Sequence, residues 1–409
     1  MRLIRSGDGG CAHRGARFGA LCAAVAAALA VAACGSDKSG GSGGSNSTAA
    51  KNDGGGKCDL SYINNQIKQY GGYPTFAPPG PPIDISSLKG KTIYDVPLSS
   101  AIQFVNIIDQ TMKQIATEQG IDFRIATNQG QQSQFVQGMN QAISQKADAI
   151  ILSNAPDPKV LQPQIVQAKN AGIPTISTHW YDVNDANDTP ANVKAPNLAA
   201  DVPFRFTTIS RLEADWAIAK SKCKAHTIFV YASDSDGHKQ MANAFQDEVK
   251  TRCGSDCSVK VIGLPFSQWP TRLQADIQAA LSADPNVNWV IPDVDFGVQF
   301  AVPAINGTGK GNGQVKIATF NGTPSVLKQV RDGQIVDMDI GENLRWNAYA
   351  DLDQTFRVML GKDPVKDEKT PIRIFSKDNI HETGDPPGYN KGWGTTDFVG
   401  GYEKLWGLQ

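Results

Sequence analysis

From Lys91 onward the chain alternates between two hydrophobic rhythms. Short, continuously apolar runs such as Ala149-Ile150-Ile151-Leu152 are separated by longer stretches with apolar positions about every three or four residues. A run that is apolar on both faces suits a parallel strand covered by helices on each side. The longer period is that of a helix with one buried face. Residues 146–180 show the unit whole. The run 149–152 breaks at Asn154-Ala155-Pro156-Asp157-Pro158, and a helical stretch follows with Val160, Leu161, Ile165 and Ala168 on one side. Gly172 stops it, and a strand over 173–178 ends in His179-Trp180. Strand–helix–strand crossovers are right-handed, and ligands of open α/β sheets lie beyond the carboxyl ends of the strands. Ser153, Asn154, His179 and Trp180 occupy such ends.

The same reading predicts a helix over 59–70 and an extended lead-in over the proline-rich stretch 74–82. Strands follow at 92–97 and 122–126, with helices at 104–119 and 133–146. Residues 181–203 are polar, contain proline and show no period, which predicts a loop outside the core. A second series has strands at 227–232, 260–264, 289–292, 314–319, 335–340 and 372–375. Its helices are predicted at 212–222, 238–250, 273–281, 299–305, 323–332 and 343–360. Two α/β series of similar size predict two lobes facing each other.

The first 33 residues stand outside this pattern. Arg2, Arg5, Arg14 and Arg17 precede an alanine-rich apolar core over 18–33, too short to span a bilayer comfortably. Val31-Ala32-Ala33-Cys34 resembles a bacterial lipobox, which makes Cys34 a lipidated mature N-terminus. Plain secretory cleavage and an uncleaved anchor are the alternatives. Residues 34–57 are Gly/Ser-rich and predict a flexible tether. The Gly40-x-Ser42-x-Gly44 pattern inside it lacks the flanking strand and helix of a nucleophile elbow. Removing the four arginines and Asp8 of the leader takes the net charge from −1 to −4. Nothing in that balance points to nucleic acid.

Of seven cysteines, Cys11 and Cys22 leave with the leader and Cys34 carries lipid. Four remain, an even number that favours disulfides in an exported chain. Cys253 and Cys257 enclose Gly254 in a small loop, which leaves Cys58 to clip the N-terminal extension onto Cys223. No histidine lies near 253–257, so a metal centre there lacks ligands. Gly90-Lys91-Thr92 lacks the partner glycine of a phosphate-binding loop. No cofactor motif is present.

The run 91–375 resembles the sugar-binding, ribose-binding-like cluster of type I periplasmic binding proteins of ABC importers. The likeness lies in Phe104-Val105, residues 147–154, Ala171-Gly172-Ile173-Pro174, Asp284-Pro285-Asn286-Val287, Phe320-Asn321-Gly322-Thr323-Pro324 and Arg331-Asp332-Gly333, in that order. It implies an α/β fold of two Rossmann-like lobes with parallel sheets, joined by a hinge that the chain crosses three times, near Ser210, Gly341 and Thr370. The expected domains are an extension over 58–90, a first lobe of 91–210 plus 342–370, and a second of 211–341 plus 371–409. The resemblance also implies a monomeric lipoprotein of the actinobacterial kind, held by Cys34 at the outer face of the cell membrane. It would deliver a sugar or polyol to ABC permease and ATPase subunits.

Carried over by position, the family's aromatic after the first strand falls on Phe104, preceded by Gln103. Its Asp-Arg pair falls on His179-Trp180, and its second-lobe polar position on His238 or Lys239. The following aromatic falls on Trp269, the Asn-Asp pair on Val294-Asp295 beside Asp293, and the later Asp on Asn321. The Gln at the second crossing falls on Gly341-Glu342. Losing the Asp-Arg pair removes the two charged groups that grip ribose. A sugar site wants aromatic platforms and planar polar groups. Phe104, Trp180 and Trp269 are candidate platforms; Gln103, Arg211, Asp293, Asp295, Asn321 and Glu342 are candidate hydrogen-bonding groups. Each aromatic has core packing as its alternative, and the two aspartates have helix capping. Trp289 and Trp346 read as core, and Trp393 and Trp406 as staples of the tail to the second lobe. Two other functions remain open: a signalling receptor, and a glycosidase using Asp293 and Asp295.

Overall fold

The computed structural model describes residues 58–154, 157–184 and 196–409. The expected leader, lipidated Cys34, tether and the middle of the 181–203 loop lie outside the described residues. Among those described, no helix is long and apolar enough to cross a membrane.

The first lobe is a parallel sheet of β1 (Thr92–Asp95), β2 (Asp122–Ile125), β3 (Ala149–Leu152), β4 (Thr175–Asp182) and β5 (Ala200–Phe204), in the order β2-β1-β3-β4-β5. β3 is buried at every residue, as its unbroken apolar run requires. Helices α1 (Leu60–Gly71), α2 (Gln103–Glu118), α3 (Gln132–Ser144), α4 (Gln162–Asn170) and α5 (Phe206–Lys220) precede the second sheet. That sheet holds β6 (His226–Ala232), β7 (Ser258–Leu264), β8 (Trp289–Pro292), β9 (Lys316–Asn321), β10 (Val336–Glu342) and β11 (Ile372–Ser376), ordered β11-β10-β9-β8-β6-β7. Only β11 runs antiparallel to its neighbour. Its helices are α6 (Asp236–Arg252), α7 (Gln274–Ala283), α8 (Val298–Gly307) and α9 (Pro324–Asp332). Helix α10 (Leu344–Met359) returns to the first lobe and packs on α2 and β5 before the chain goes back to β11. The two-lobed α/β fold is as expected.

Three local readings need correction. Ala200–Phe204 is a fully buried strand, not loop; it sits at the sheet edge, where Pro203 costs no ladder bond. Helix α5 begins at Phe206 rather than Leu212, because Phe206 and Ile209 already pack in the second-lobe core. The tail does not stay with one lobe. Trp393 packs edge-on against Phe375 in the second, but Trp406 stacks on Tyr349 in the core of the first, carried there by α11 (Phe398–Leu405).

The N-terminal extension also touches both lobes. Helix α1 buries Ile63 against the second lobe, and the Arg252 guanidinium lies over the Tyr62 ring at 3.5 Å. Cys58 is bonded to Cys223 and Cys253 to Cys257. After the proline-rich stretch, Ile83 N–H donates to Leu405 C=O at 2.7 Å, and Ile83 and Ile85 join the first-lobe core.

Candidate functional site

The carboxyl ends of the two parallel sheets face each other across a cleft. Three residues there hold positive φ without being glycine: Asn154 after β3 (50°), His179 in β4 (54°) and Asn321 at the end of β9 (141°). Such backbone is costly for non-glycine residues and gathers at functional sites. All three line the same cavity.

The main chamber holds about 580 Å³, within the range for small-molecule sites. Leu98, Ile102, Phe135 and Trp180 bound it on one side; Ala232, Ser235, Phe266 and Pro270 bound it on the other. Gln129, Gln131, Gln132 and Asp234 stand nearer its mouth. A recess of about 60 Å³ opens from it past Asn154, His179, His238, Phe266 and Phe296, and is closed by Phe104, Val105, Phe206, Val294, Phe320 and Asn321. A further cavity of about 410 Å³ shares Ile102 and Phe296 with both chambers and contains Gln103, Asp295, Thr323 and Ser325.

Glu342 is fully buried at the hinge and gathers donors from both lobes. His179 Nε2 donates at 3.0 Å from the first, Asn321 Nδ2 at 3.0 Å from the second, and Asn347 Nδ2 from the start of α10. Burial alone would lower the His179 pKa. The Glu342 charge and hydrogen bond, with the Asp351 charge behind them, outweigh it and raise it. His238 is a counterpart on the second lobe: its Nδ1 meets Asp293 Oδ2 at 2.6 Å. There too the carboxylate overcomes burial and raises the imidazole pKa.

Several buried polar atoms at the chamber have no protein partner: both side-chain polar atoms of Asn154, His179 Nδ1 and the Trp180 indole nitrogen. Buried polar groups are normally satisfied, and each one left over costs on the order of 1–3 kcal/mol. Asn154, His179 and Trp180 all line the chamber, which puts their side chains beside anything that enters the cleft.

The structure thus brings together Phe104, Asn154, His179, Trp180, His238 and Asn321, with Glu342 behind them. Gln103 and Asp295 line the further cavity; Gln103 Oε1 accepts from Ser325 Oγ across the cleft at 2.7 Å. Asp295 Oδ2 accepts from the Thr323 amide at 2.8 Å and its hydroxyl at 2.6 Å, just before α9. Burial pushes the Asp295 carboxyl up to about 7. Besides Glu342, four candidates line none of these cavities. Arg211 is exposed on α5. Lys239 is exposed and pairs with Asp236 at 3.1 Å. Asp293 is enclosed beneath His238, so the paired-carboxylate reading lacks one of its two groups in the cleft. Trp269 is fully buried, its indole N–H donating to Leu264 C=O at 3.2 Å. Phe266, stacked on Phe296 at 5.1 Å, takes the cleft-facing place instead. Phe206, Phe266, Phe296, Phe320 and Asn347 escaped the sequence reading. A phenylalanine just past the end of a predicted strand was the signal available for Phe266.

Two hinged α/β lobes enclosing a cavity at their strand ends define a solute-binding architecture. The family described as "Periplasmic binding protein domain" matches residues 93–363, and the chain belongs to it. No curated protein matches the chain. Many solved structures do. A solute-binding protein from Actinobacillus succinogenes 130z with bound D-allose has 17% identity and a TM-score of 0.62, covering 71% of this chain and 99% of its own. A carbohydrate transporter from Acidothermus cellulolyticus 11B in complex with myo-inositol has 20% identity and a TM-score of 0.58, covering 74% and 99%. One from Burkholderia graminis C4D1M in complex with D-arabinose has 16% identity and a TM-score of 0.62, covering 72% and 97%. At these identities the likeness is one of fold.

Proposed function

We propose that this protein is an extracytoplasmic receptor that closes on an uncharged sugar or polyol and presents it to an ABC permease with its ATPase. In this reading it is a monomer, anchored to the outer face of the membrane through lipid on Cys34. The supporting observation is the interlobe chamber with unpartnered buried groups on Asn154, His179 and Trp180. No lysine or arginine lines the chamber or its recess among the described residues, so a carboxylate or phosphate ligand would lack a counter-charge. A neutral polyhydroxyl ligand can both donate and accept, and so gives Asn154, the Trp180 indole N–H and the free His179 ring nitrogen what they lack, with Trp180 and Phe135 as apolar walls. Closing the lobes on it is then driven by the contacts that only the closed form offers.

Thermal-shift screening over pentoses, hexoses and polyols, followed by calorimetry, tests the ligand class. A bound ligand raises the melting temperature by mass action. Stabilisation by anionic metabolites alone would overturn the neutral-ligand reading. Membrane fractionation of Cys34→Ser tests the anchor: release to the medium or an uncleaved precursor is expected, and unchanged processing and association would refute it.

A further inference from the structure

We infer that the ligand carries a small alkyl substituent, seated in the inner recess; this rests on the reading just given. The recess and the chamber differ in chemistry. Walls that the recess does not share with the chamber are Phe104, Val105, Phe206, Val294 and Phe320, with Asn321 as the sole polar side chain among them. Asn321 is already committed: its Nδ2 donates to Glu342 and its Oδ1 accepts from the Asp295 amide at 3.3 Å. Away from Asn154, His179 and His238 at its junction with the chamber, the recess is walled mainly by bare rings and valine methyls, which offer an entering hydroxyl no partner. A hydroxyl placed there would lose its water without replacement, whereas a methyl group would lose nothing.

Size narrows the group further. A recess of about 60 Å³ exceeds what one water needs, roughly 10–15 Å³, and falls well short of the ~150 Å³ that accepts a benzene ring. It suits a methyl or ethyl group. Asn154, His179 and His238 stand where recess and chamber meet, placed to read ring oxygens next to that substituent. The hydroxylated remainder then faces the chamber, with the exposed Gln129 and Gln131 toward the mouth. Two sources share this chemistry: the terminal methyl of a 6-deoxy sugar, and the alkyl group of a methyl or ethyl glycoside.

Calorimetry on the full chain in detergent separates them through matched pairs, 6-deoxyhexoses against their parent hexoses and methyl glycosides against the free sugars. In one series the alkylated member should bind at least about fourfold tighter, the worth of one buried methylene, and more where the parent hydroxyl goes unpartnered. The series that shows the preference identifies the source. Val294→Met and Val105→Leu fill the recess from opposite lobes, and either one, once shown folded by circular dichroism, should bring the preference close to unity. Equal or weaker binding of the alkylated members in both series overturns the inference while leaving the sugar reading intact. So does a preference that survives both variants. Binding of no saccharide or polyol at all removes both.

Discussion

Breaking the Cys58–Cys223 bridge is expected to destabilise the protein far more than breaking Cys253–Cys257. The first spans 165 residues of sequence and the second 4. Loop-closure entropy in the unfolded chain then assigns the long bridge about 5 kcal/mol and the short one about 2 kcal/mol at 25 °C. Residual structure in the denatured chain lowers both values, so their order is the firmer expectation. Local contacts at the clip do not depend on the sulfurs. Asp59 N–H donates to Arg252 C=O at 3.1 Å, Arg252 lies over Tyr62, and Ile63 is buried. A Cys58→Ser/Cys223→Ser variant therefore keeps α1 docked, and its loss reports on the unfolded chain. Urea unfolding followed by tryptophan fluorescence compares it with Cys253→Ser/Cys257→Ser. Equal costs, or a greater cost for the short bridge, would refute the reasoning.

Trp180→Ala should weaken ligand binding by about 1–3 kcal/mol, the range for losing an aromatic anchor; calorimetry showing unchanged affinity would remove the indole from the site. Gly237→Ala puts a Cβ 3.0 Å from the Trp180 carbonyl oxygen across the cleft and 3.2 Å from the Phe206 ring, so it should crowd the closed form and weaken ligand binding; calorimetry showing unchanged affinity would refute the crowding. Asp351 is fully buried in α10, and burial, against the opposing charge of His179, pushes its carboxyl up to about 7. The folded protein holds this proton where the unfolded chain has lost it. Its contribution is therefore present below pH ~4 and is lost as pH rises through 7, at about 1.4 kcal/mol per pH unit. Asp351→Asn should flatten the fall in stability between those limits, and an unaltered urea-midpoint profile would contradict the assignment.

Much of the fold was legible because its signals are local. The run 149–152 is short, apolar on both sides and bounded by breakers, and only a covered parallel strand satisfies all three conditions. Ala200–Phe204 has the same burial but a weaker signal. It follows a polar, unpatterned stretch and contains a proline, which reads as loop unless the strand's edge position is known. Trp406 is a related case. Its sequence neighbours say that it is apolar and near the end, but not which lobe the tail crosses to.

Side-chain direction was less legible than element order. Asn154, His179, Trp180 and Asn321 sit at strand ends, and topology alone sends strand ends to the cleft. Trp269 and Phe266 lie in irregular helical turns after β7, where a shift of three residues exchanges an inward ring for an outward one. The exchange alters the chemistry of the site. An indole facing the cleft would have brought a hydrogen-bond donor with it, whereas Trp269 spends that donor on Leu264 inside the lobe. Phe266 and Phe296 present bare rings in its place. Asp293 likewise turns inward to back His238, so what faces the ligand is an imidazole held by a carboxylate rather than the carboxylate itself. His179 and Glu342 repeat the arrangement from the other lobe. The buried acids thus act on the cleft through histidines, which puts an imidazole nitrogen in front of the ligand where the sequence pattern had pointed to a carboxylate oxygen.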